Sequence, residues 1–166
     1  MRYVVPCLLT FLLTTVFSPV SSMLASDEKD SPKDSKMQLG NFSVSLAVKD
    51  VFVSKAFYEK LGFRQSGGDV KRKYVVMQNG TSTIGLYQGM FPKNTLTYNP
   101  GWDRDCNTLP EFMDVREIQQ ELKKQDIKLD VAADETTTGP AFLTITDPDG
   151  NPILIDQHTT KPTQQK

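Results

Sequence analysis

The sequence has 166 residues, and its 19 Lys and Arg against 20 Asp and Glu give a formal net charge of -1. A chain of this length favours one domain. Nucleic-acid-binding domains concentrate positive charge on one face, and nothing in this balance indicates such a surface. We therefore expect no nucleic acid among the partners of this protein.

Residues 1–22 have the order of a secretory signal peptide. Arg2 gives a positive start, and the run from Val4 to Phe17 is almost wholly apolar before small residues follow. The apolar run is shorter than the ~20 residues that a membrane-spanning helix needs. We therefore expect cleavage after Ser22 or Ala25, a secreted or periplasmic protein, and no membrane contact after cleavage. The alternative is an uncleaved N-terminal anchor.

Four segments are expected along the chain: the signal peptide, a disordered linker at 23–38, a folded domain at 39–158 and a flexible tail at 159–166. The linker is predicted because residues 26–36 contain no apolar side chain. Signal cleavage would leave one cysteine, Cys106, so no internal disulfide is expected. Cys106 is then either a buried apolar filler or a weakly reactive thiol.

The first half of the domain is predicted to have the order βαβββ. Alternation over Asn41–Val48 predicts a half-buried strand, and Asp50 is placed to cap a helix that ends at Leu61-Gly62-Phe63. Three strands are predicted to follow, with an Asn-Gly hairpin turn between the last two, over Phe63–Asp69, Lys73–Gln78 and Thr83–Gln88.

The same order is predicted again after a long connection from Gly89 to Asp105. Asn107–Met113 is predicted as a short edge strand, and Asp114 as the cap of a second helix. The last three strands are predicted over Lys128–Ala133, Ala141–Thr146 and Pro152–Gln157. At an offset of 64 residues Asp50 aligns with Asp114. The pattern therefore predicts an α+β domain with an internal duplication.

Two motifs carry a resemblance to a known family. Residues 46–50 (LAVKD) with 56–63 (AFYEKLGF), and residues 147–153 (DPDGNPI), resemble motifs of the vicinal-oxygen-chelate superfamily of glyoxalase, bleomycin-resistance and dioxygenase-like proteins. The resemblance spans about residues 41 to 158. It implies two βαβββ modules whose curved mixed sheets enclose a cleft. It does not imply one activity, because one fold hosts many chemistries.

Enzymes of this superfamily usually hold a divalent metal through His, Glu or Gln on strands of both modules. The resemblance places the ligand positions at Ser43 and Asn107, each seven residues before a helix-cap Asp, at Leu154, and near Gly85. None of these supplies imidazole or carboxylate, which such metals prefer. We therefore expect no metal cofactor, although a weak displaced site from Asp156 and the single histidine, His158, is the alternative.

The resemblance leaves a cleft that we expect to bind a small organic ligand. Trp102 lies in the long connection and either lines the cleft or covers the end of the core. Tyr87 is expected to face inward, and its neighbour Gln88 outward, because adjacent strand residues alternate. The predicted binding residues are Ser43, Tyr87, Trp102, Asn107, Leu154 and Asp156.

Three functions remain open for this chain. The leading hypothesis is a metal-independent small-molecule binder. The second is a lyase or dioxygenase of glyoxalase type with a displaced metal site. The third is a non-catalytic interaction or dimerisation module. Members of the superfamily often pair modules across chains, so a homodimer is the partner that the resemblance implies.

Overall fold

The computed structural model describes residues 37–161. The predicted signal peptide, the predicted linker up to residue 36 and residues 162–166 lie outside the described residues. Met37 and Leu39, at the start of the described part, pack against the core beneath the second helix. Within residues 37–161 there is no helix long and apolar enough to span a bilayer.

The described residues form one open, mixed sheet with two α-helices, which confirms the α+β prediction. The strand order across the sheet is β2-β3-β4-β1-β5-β7-β6. The strands are β1 (Asn41–Val48), β2 (Arg64–Asp69), β3 (Tyr74–Asn79), β4 (Ser82–Gln88), β5 (Thr95–Asn99), β6 (Ala141–Thr146) and β7 (Pro152–Gln157). The helices are α1 (Val51–Lys60) and α2 (Val115–Lys124), with a 3-10 turn at Val70–Arg72.

The two halves of the domain are joined at the centre of this sheet. β1 pairs with β4 in parallel, β5 pairs with β7 in parallel, and β1 and β5 pair with each other antiparallel. Ser43 lies opposite Thr97 in that central pair. Because the β1–β5 ladder is continuous with both halves, the described residues form a single open sheet instead of two separate ones.

The predicted first strand of the second half was wrong. Residues 107–113 form no strand, and their one ladder contact is an isolated bridge between Trp102 and Thr108. The second-half strand that pairs with β1 is β5, inside the predicted connection, where Thr95, Thr97 and Asn99 alternate with larger side chains. Lys128–Ala133 is likewise not a strand and makes one bridge, from Val131 to Thr144. The second half is therefore βαββ.

Both predicted helix caps are confirmed. The Asp50 carboxylate accepts hydrogen bonds from the backbone N–H groups of Phe52 and Val53. The Asp114 carboxylate accepts from the backbone N–H of Arg116, and Glu117 completes a capping box. These bonds satisfy N–H groups that have no partner inside the helix.

The helices cover one face of the sheet and leave the other for a cavity. Successive strand residues point to opposite faces. On the helix-covered face, one core cluster contains Val51, Val75, Met77 and Leu86, and the other contains Val115, Ile118, Leu122, Leu143 and Ile155. The residues between these strand positions, such as Val76, Gly85 and Leu154, face the cavity.

Candidate ligand-binding cavity

A cavity of about 630 Å³ lies on the sheet face opposite the helices. Its floor comes from the central strands β4, β1, β5 and β7, and its walls come from β2, β3, the β4–β5 connection and the connection after β5. The floor residues are Asn41, Ser43, Ser45, Gly85, Tyr87, Thr97, Asn99, Leu154 and Asp156. Pockets of 300–1,000 Å³ are typical of small-molecule sites.

Five of the six predicted site residues lie together around this cavity: Ser43, Tyr87, Trp102, Leu154 and Asp156. Asn107 does not line it, and placing it in the cleft was wrong. Its side-chain amide donates to the Asp103 carboxylate at 3.1 Å, so it closes a turn. The misplacement follows from the strand error, because the residue opposite Ser43 in the sheet is Thr97.

A network of hydroxyl groups occupies the centre of the floor. Ser45 Oγ and Thr97 Oγ1 are 2.8 Å apart, and both residues are buried. The Tyr87 hydroxyl bonds to Ser45. Burial raises the pKa of Tyr87, the bond to Ser45 opposes that rise, and the charge of Asp156 and the neighbouring Tyr74 add to it. Tyr87 is therefore a neutral phenol at physiological pH and can donate a hydrogen bond.

The ring of Tyr87 lies over Gly85, two residues before it on β4. A Cβ atom at Gly85 would stand 2.3 Å from Cε2 of that ring. Tyr87 also stacks parallel to Tyr74 with ring centroids 5.8 Å apart, and Phe91 meets it edge-on at 5.0 Å. The ring of Tyr87 therefore occupies the space that a side chain at position 85 would need.

An acidic group and an indole lie at the β7 side of the cavity. Leu154, Asp156 and His158 all line it, as their spacing of two residues predicts. His158 Nε2 is 3.1 Å from Asp156 Oδ2, and the imidazole stacks on Trp102 at 4.4 Å. Trp102 therefore lines the cavity, and its ring is packed against His158, the residue that follows β7.

A tight turn at residues 103–107 supports Trp102. The Asp103 carboxylate accepts from the backbone N–H groups of Asp105 and Asn107, and Cys106 has a φ of 62°. The turn at 147–151 repeats these bonds, with Gly150 at the equivalent positive-φ position. The sequence indicates this similarity, because the pattern Asp-x-Asp-x-Asn occurs at both turns.

Cys106 is exposed, so its interpretation as a buried filler was wrong. It lines the edge of the cavity. Partial burial raises the pKa of the Cys106 thiol, and the charges of Asp103 and Asp105 add to that rise. The thiol is therefore a poor source of nucleophilic thiolate.

Sequence reasoning missed four floor residues, Asn41, Ser45, Thr97 and Asn99. Ser45 shares the polar side of β1 with Ser43, so the alternation of that strand already indicated it. Thr97 and Asn99 belong to the strand that was not predicted. The Asn99 side-chain amide donates to the backbone carbonyl of Asp156 at 2.9 Å, which joins the floor across β5 and β7.

A match to a known family covers most of the described residues. The family model of the Glyoxalase/Bleomycin resistance protein/Dioxygenase superfamily matches residues 41–155. The chain belongs to this superfamily. The resemblance seen in the sequence is thereby confirmed, while a search of curated proteins gave no match.

Two solved structures have a similar fold. A glyoxalase/bleomycin resistance protein/dioxygenase superfamily member from Vibrio splendidus 12B01 is 15% identical with a TM-score of 0.51, over 70% of this chain and 96% of that one. A structure described as NAD-dependent benzaldehyde dehydrogenase from Legionella pneumophila is 18% identical with a TM-score of 0.54, over 71% and 99%. At these identities the likeness concerns the fold alone.

The residues of this superfamily member do not fit the divalent metal that the family's enzymes use. The floor presents hydroxyl groups at Ser43, Ser45 and Thr97, a bare backbone at Gly85 and an apolar side chain at Leu154. Residues 37–161 contain no group of three or more His, Cys, Asp or Glu side chains placed to hold a metal ion. Zinc and related catalytic metals are bound by three or more such side chains.

Proposed function

We propose that this superfamily member binds a small organic molecule in the cavity without the help of a metal ion. The observation that carries the proposal is the floor of the cavity. The expected ligand positions there hold Ser43, Gly85 and Leu154, and beside them the floor presents the hydrogen-bonded pair Ser45 and Thr97 and the phenol of Tyr87. Such groups orient a ligand by hydrogen bonds, and they are weak ligands for zinc or iron.

The aromatic side chains around the cavity support the same proposal. Tyr74, Tyr87, Phe91 and Trp102 bring aromatic surface into one space with a few polar groups. Organic ligand sites combine these two features, because apolar walls supply affinity and a few polar groups fix orientation. Metal-dependent lyase or dioxygenase chemistry has less support, since Asp156 and His158 pair with each other and gain no third donor in the described part.

The test is a ligand screen by thermal shift, with and without a chelator, on wild type and two tryptophan variants. Ser43→Trp places a large ring in the cavity. Phe42→Trp is the matched control, since Phe42 neighbours Ser43 on the other face of β1 and is 48% exposed. We expect hits that stabilise wild type and F42W, with or without chelator, and that lose their effect on S43W.

Two results would overturn the proposal. One is a hit that stabilises S43W as much as wild type, because the ligand would then bind elsewhere. The other is stoichiometric metal in the purified protein together with binding that disappears on chelation. Metal content measured by mass spectrometry separates the second result from the first.

A second candidate function, self-association, has its own observation. The outer side of α1 is unusually apolar: Phe52, Val53 and Phe57 are 59%, 68% and 56% exposed, and Leu61 follows at 54%. Contiguous exposed apolar surface of this kind often marks an interface. The Lys55–Glu59 pair on the same helix is internally neutralised, so a second copy of this surface would meet little charge repulsion.

Sedimentation velocity tests this candidate. A Val53→Ser, Phe57→Ser double variant is expected to sediment as a monomer under conditions where wild type is a dimer, with ligand binding unchanged. A monomeric wild type across the micromolar range would refute it.

Export, which we infer from the N-terminal sequence, is checked by N-terminal sequencing of protein recovered outside the cytoplasm.

A further inference from the structure

The charged side chains around the cavity are unevenly distributed. Asp105 and Asp156 line it with carboxylates, and His158 beside Asp156 is its one imidazole. Among the residues of the described chain that line the cavity, none is Lys or Arg. Apart from this imidazole, every ionisable carboxylate or amine side chain on the lining is therefore acidic.

Basic residues do occur near the cavity, but they do not face it. Lys71, Arg72 and Lys73 lie on the turn before β3 and are exposed, and none of them lines the cavity. Arg104 is also exposed, and its backbone carbonyl accepts a bond from the Gln78 side chain. An anionic ligand would therefore meet carboxylates with no Lys or Arg side chain beside it.

The aromatic side chains of the cavity also favour a positively charged ligand, as the carboxylates do. Tyr74 and Tyr87 stand parallel on adjacent strands, and Trp102 lies at the β7 side beside His158. The face of an aromatic ring attracts a cation through its quadrupole, and indole does so most strongly. The Tyr87 phenol is close enough to Asp156 to interact with its charge. Burial is the main cause of the raised pKa of Tyr87, and the charge of Asp156 raises it further.

From the carboxylates and the aromatic faces together, we propose that the cavity selects flat organic cations: aromatic molecules that carry one protonated amine. The amine pairs with Asp156, and the ring system packs against the tyrosine wall. The hydroxyl floor accepts or donates hydrogen bonds to polar atoms elsewhere on the ligand. This inference rests on the proposed function and names the chemical class of its ligand.

Three probes of nearly equal shape and different charge test the selection: 2-naphthylmethylamine, 2-naphthylmethanol and 2-naphthoate. Their dissociation constants are measured by isothermal titration calorimetry on the full chain near neutral pH. We expect the amine to bind at least about tenfold more tightly than the alcohol, and the carboxylate to bind more weakly than the alcohol.

An Asp156→Asn variant then assigns the preference to one carboxylate. The change keeps size and removes charge, so the amine should lose about tenfold in affinity while the alcohol changes less than about twofold. Asp149→Asn is the matched control, because it removes the same charge from an exposed residue outside the cavity. It should leave all three constants unchanged. Thermal melts verify that both variants fold.

The outcomes separate this inference from the proposed function. If the alcohol binds in the cavity and the amine binds no better, the cation selection is wrong and small-molecule binding stands. Tightest binding of the carboxylate would also overturn the selection alone. If none of the three probes binds, both proposals fail for aromatic ligands. The ranking on wild type decides the matter even if the Asp156 variant does not fold.

Discussion

The ring of Tyr87 occupies the space into which a side chain at Gly85 would project. The distance from an ideal Cβ at Gly85 to Cε2 of Tyr87 would be 2.3 Å, far inside van der Waals contact. Tyr87 is in turn held by Tyr74, Phe91 and the hydroxyl of Ser45. The glycine and the tyrosine are therefore one packing unit, and a change in either alters the shape of the cavity.

Substitution of Gly85 by Ala should destabilise the protein by about 1–3 kcal/mol, the usual cost of overpacking a filled site. The measurement is urea denaturation at equilibrium. Gly67→Ala is the control, because Gly67 also lines the cavity but its Cβ would stand 3.7 Å from the nearest atom, an ordinary contact. Equal costs for the two substitutions would contradict the packing relationship.

The same relationship predicts strong coupling between Gly85 and Tyr87. In a Tyr87→Ala background the ring is gone, so Gly85→Ala should cost less than about 0.5 kcal/mol. A double-mutant cycle measures this directly. Additive costs would mean that the alanine is accommodated by a shift elsewhere on β4.

Replacement of Cys106 by Gly should stabilise the protein by about 0.5–1 kcal/mol. A left-handed backbone conformation costs a residue with a Cβ about 1–2 kcal/mol, and glycine avoids this cost. Glycine also raises the conformational entropy of the unfolded chain, which offsets part of the gain. Cys106 has a φ of 62° in a turn whose counterpart carries Gly150. Cys106→Ala is the control, since alanine keeps the strain and should bring no gain in thermal or urea stability.

The elements that could be predicted from the sequence are those with strong local signals. Asp50 and Asp114 were recognisable as caps because capping needs only the side chain and the next few N–H groups. The strand Asn41–Val48 was recognisable from eight alternating residues. The order of elements in the first half and the family resemblance followed from these.

The second half was harder to predict because its first strand is weak on its own. Thr95–Asn99 has five residues, and its stability comes from pairing with β1 on one side and β7 on the other. Such non-local pairing leaves little trace in the local sequence. Counting back from Asp114 therefore led to Asn107 instead of Thr97, whereas Leu154 and Asp156, chosen from the last strand, do line the cavity.

Gln157 should be among the costliest polar residues to replace. It is buried, its Oε1 accepts from the backbone N–H of Val115 at 2.7 Å, and its Nε2 donates to the Asp114 carboxylate at 2.8 Å and the Thr159 carbonyl at 2.8 Å. Gln157→Leu leaves the buried backbone N–H of Val115 without this acceptor and removes one donor each from Asp114 and Thr159, so we expect a loss of about 2–4 kcal/mol in the free energy of unfolding.

Gln88 provides the matched control for Gln157. It ends β4 as Gln157 ends β7, and its Oε1 accepts from the first backbone N–H of α1, that of Val51, at 3.1 Å. Gln88 is only half-buried. Gln88→Leu should therefore cost about 1 kcal/mol, since it removes one hydrogen bond made by a half-buried side chain. A larger loss at Gln88 than at Gln157 in urea denaturation would show that burial does not set the cost of removing these two glutamines.

The pH dependence of stability should depend on Asp114. Burial acts to raise the pKa of Asp114, but bonds from the Arg116 backbone, the Gln157 amide and the Arg116 guanidinium outweigh it and lower the pKa. A carboxyl whose pKa is lower in the folded state contributes stability above its unfolded pKa, about 3.9, and loses it as pH falls through the folded pKa. The unfolding free energy of wild type minus that of Asp114→Asn should therefore be larger at pH 6 than at pH 3.

Gln157 makes this prediction sharper because its amide donates to the Asp114 carboxylate. Removing that donor in Gln157→Leu should bring the folded pKa of Asp114 closer to its unfolded value, so the acid-induced loss assigned to Asp114 becomes smaller. Urea denaturation of wild type, D114N, Q157L and the double variant at several pH values between 3 and 7 measures both effects. A wild-type minus D114N difference that stays constant over this range would mean that the bonds to Asp114 do not favour its charged form.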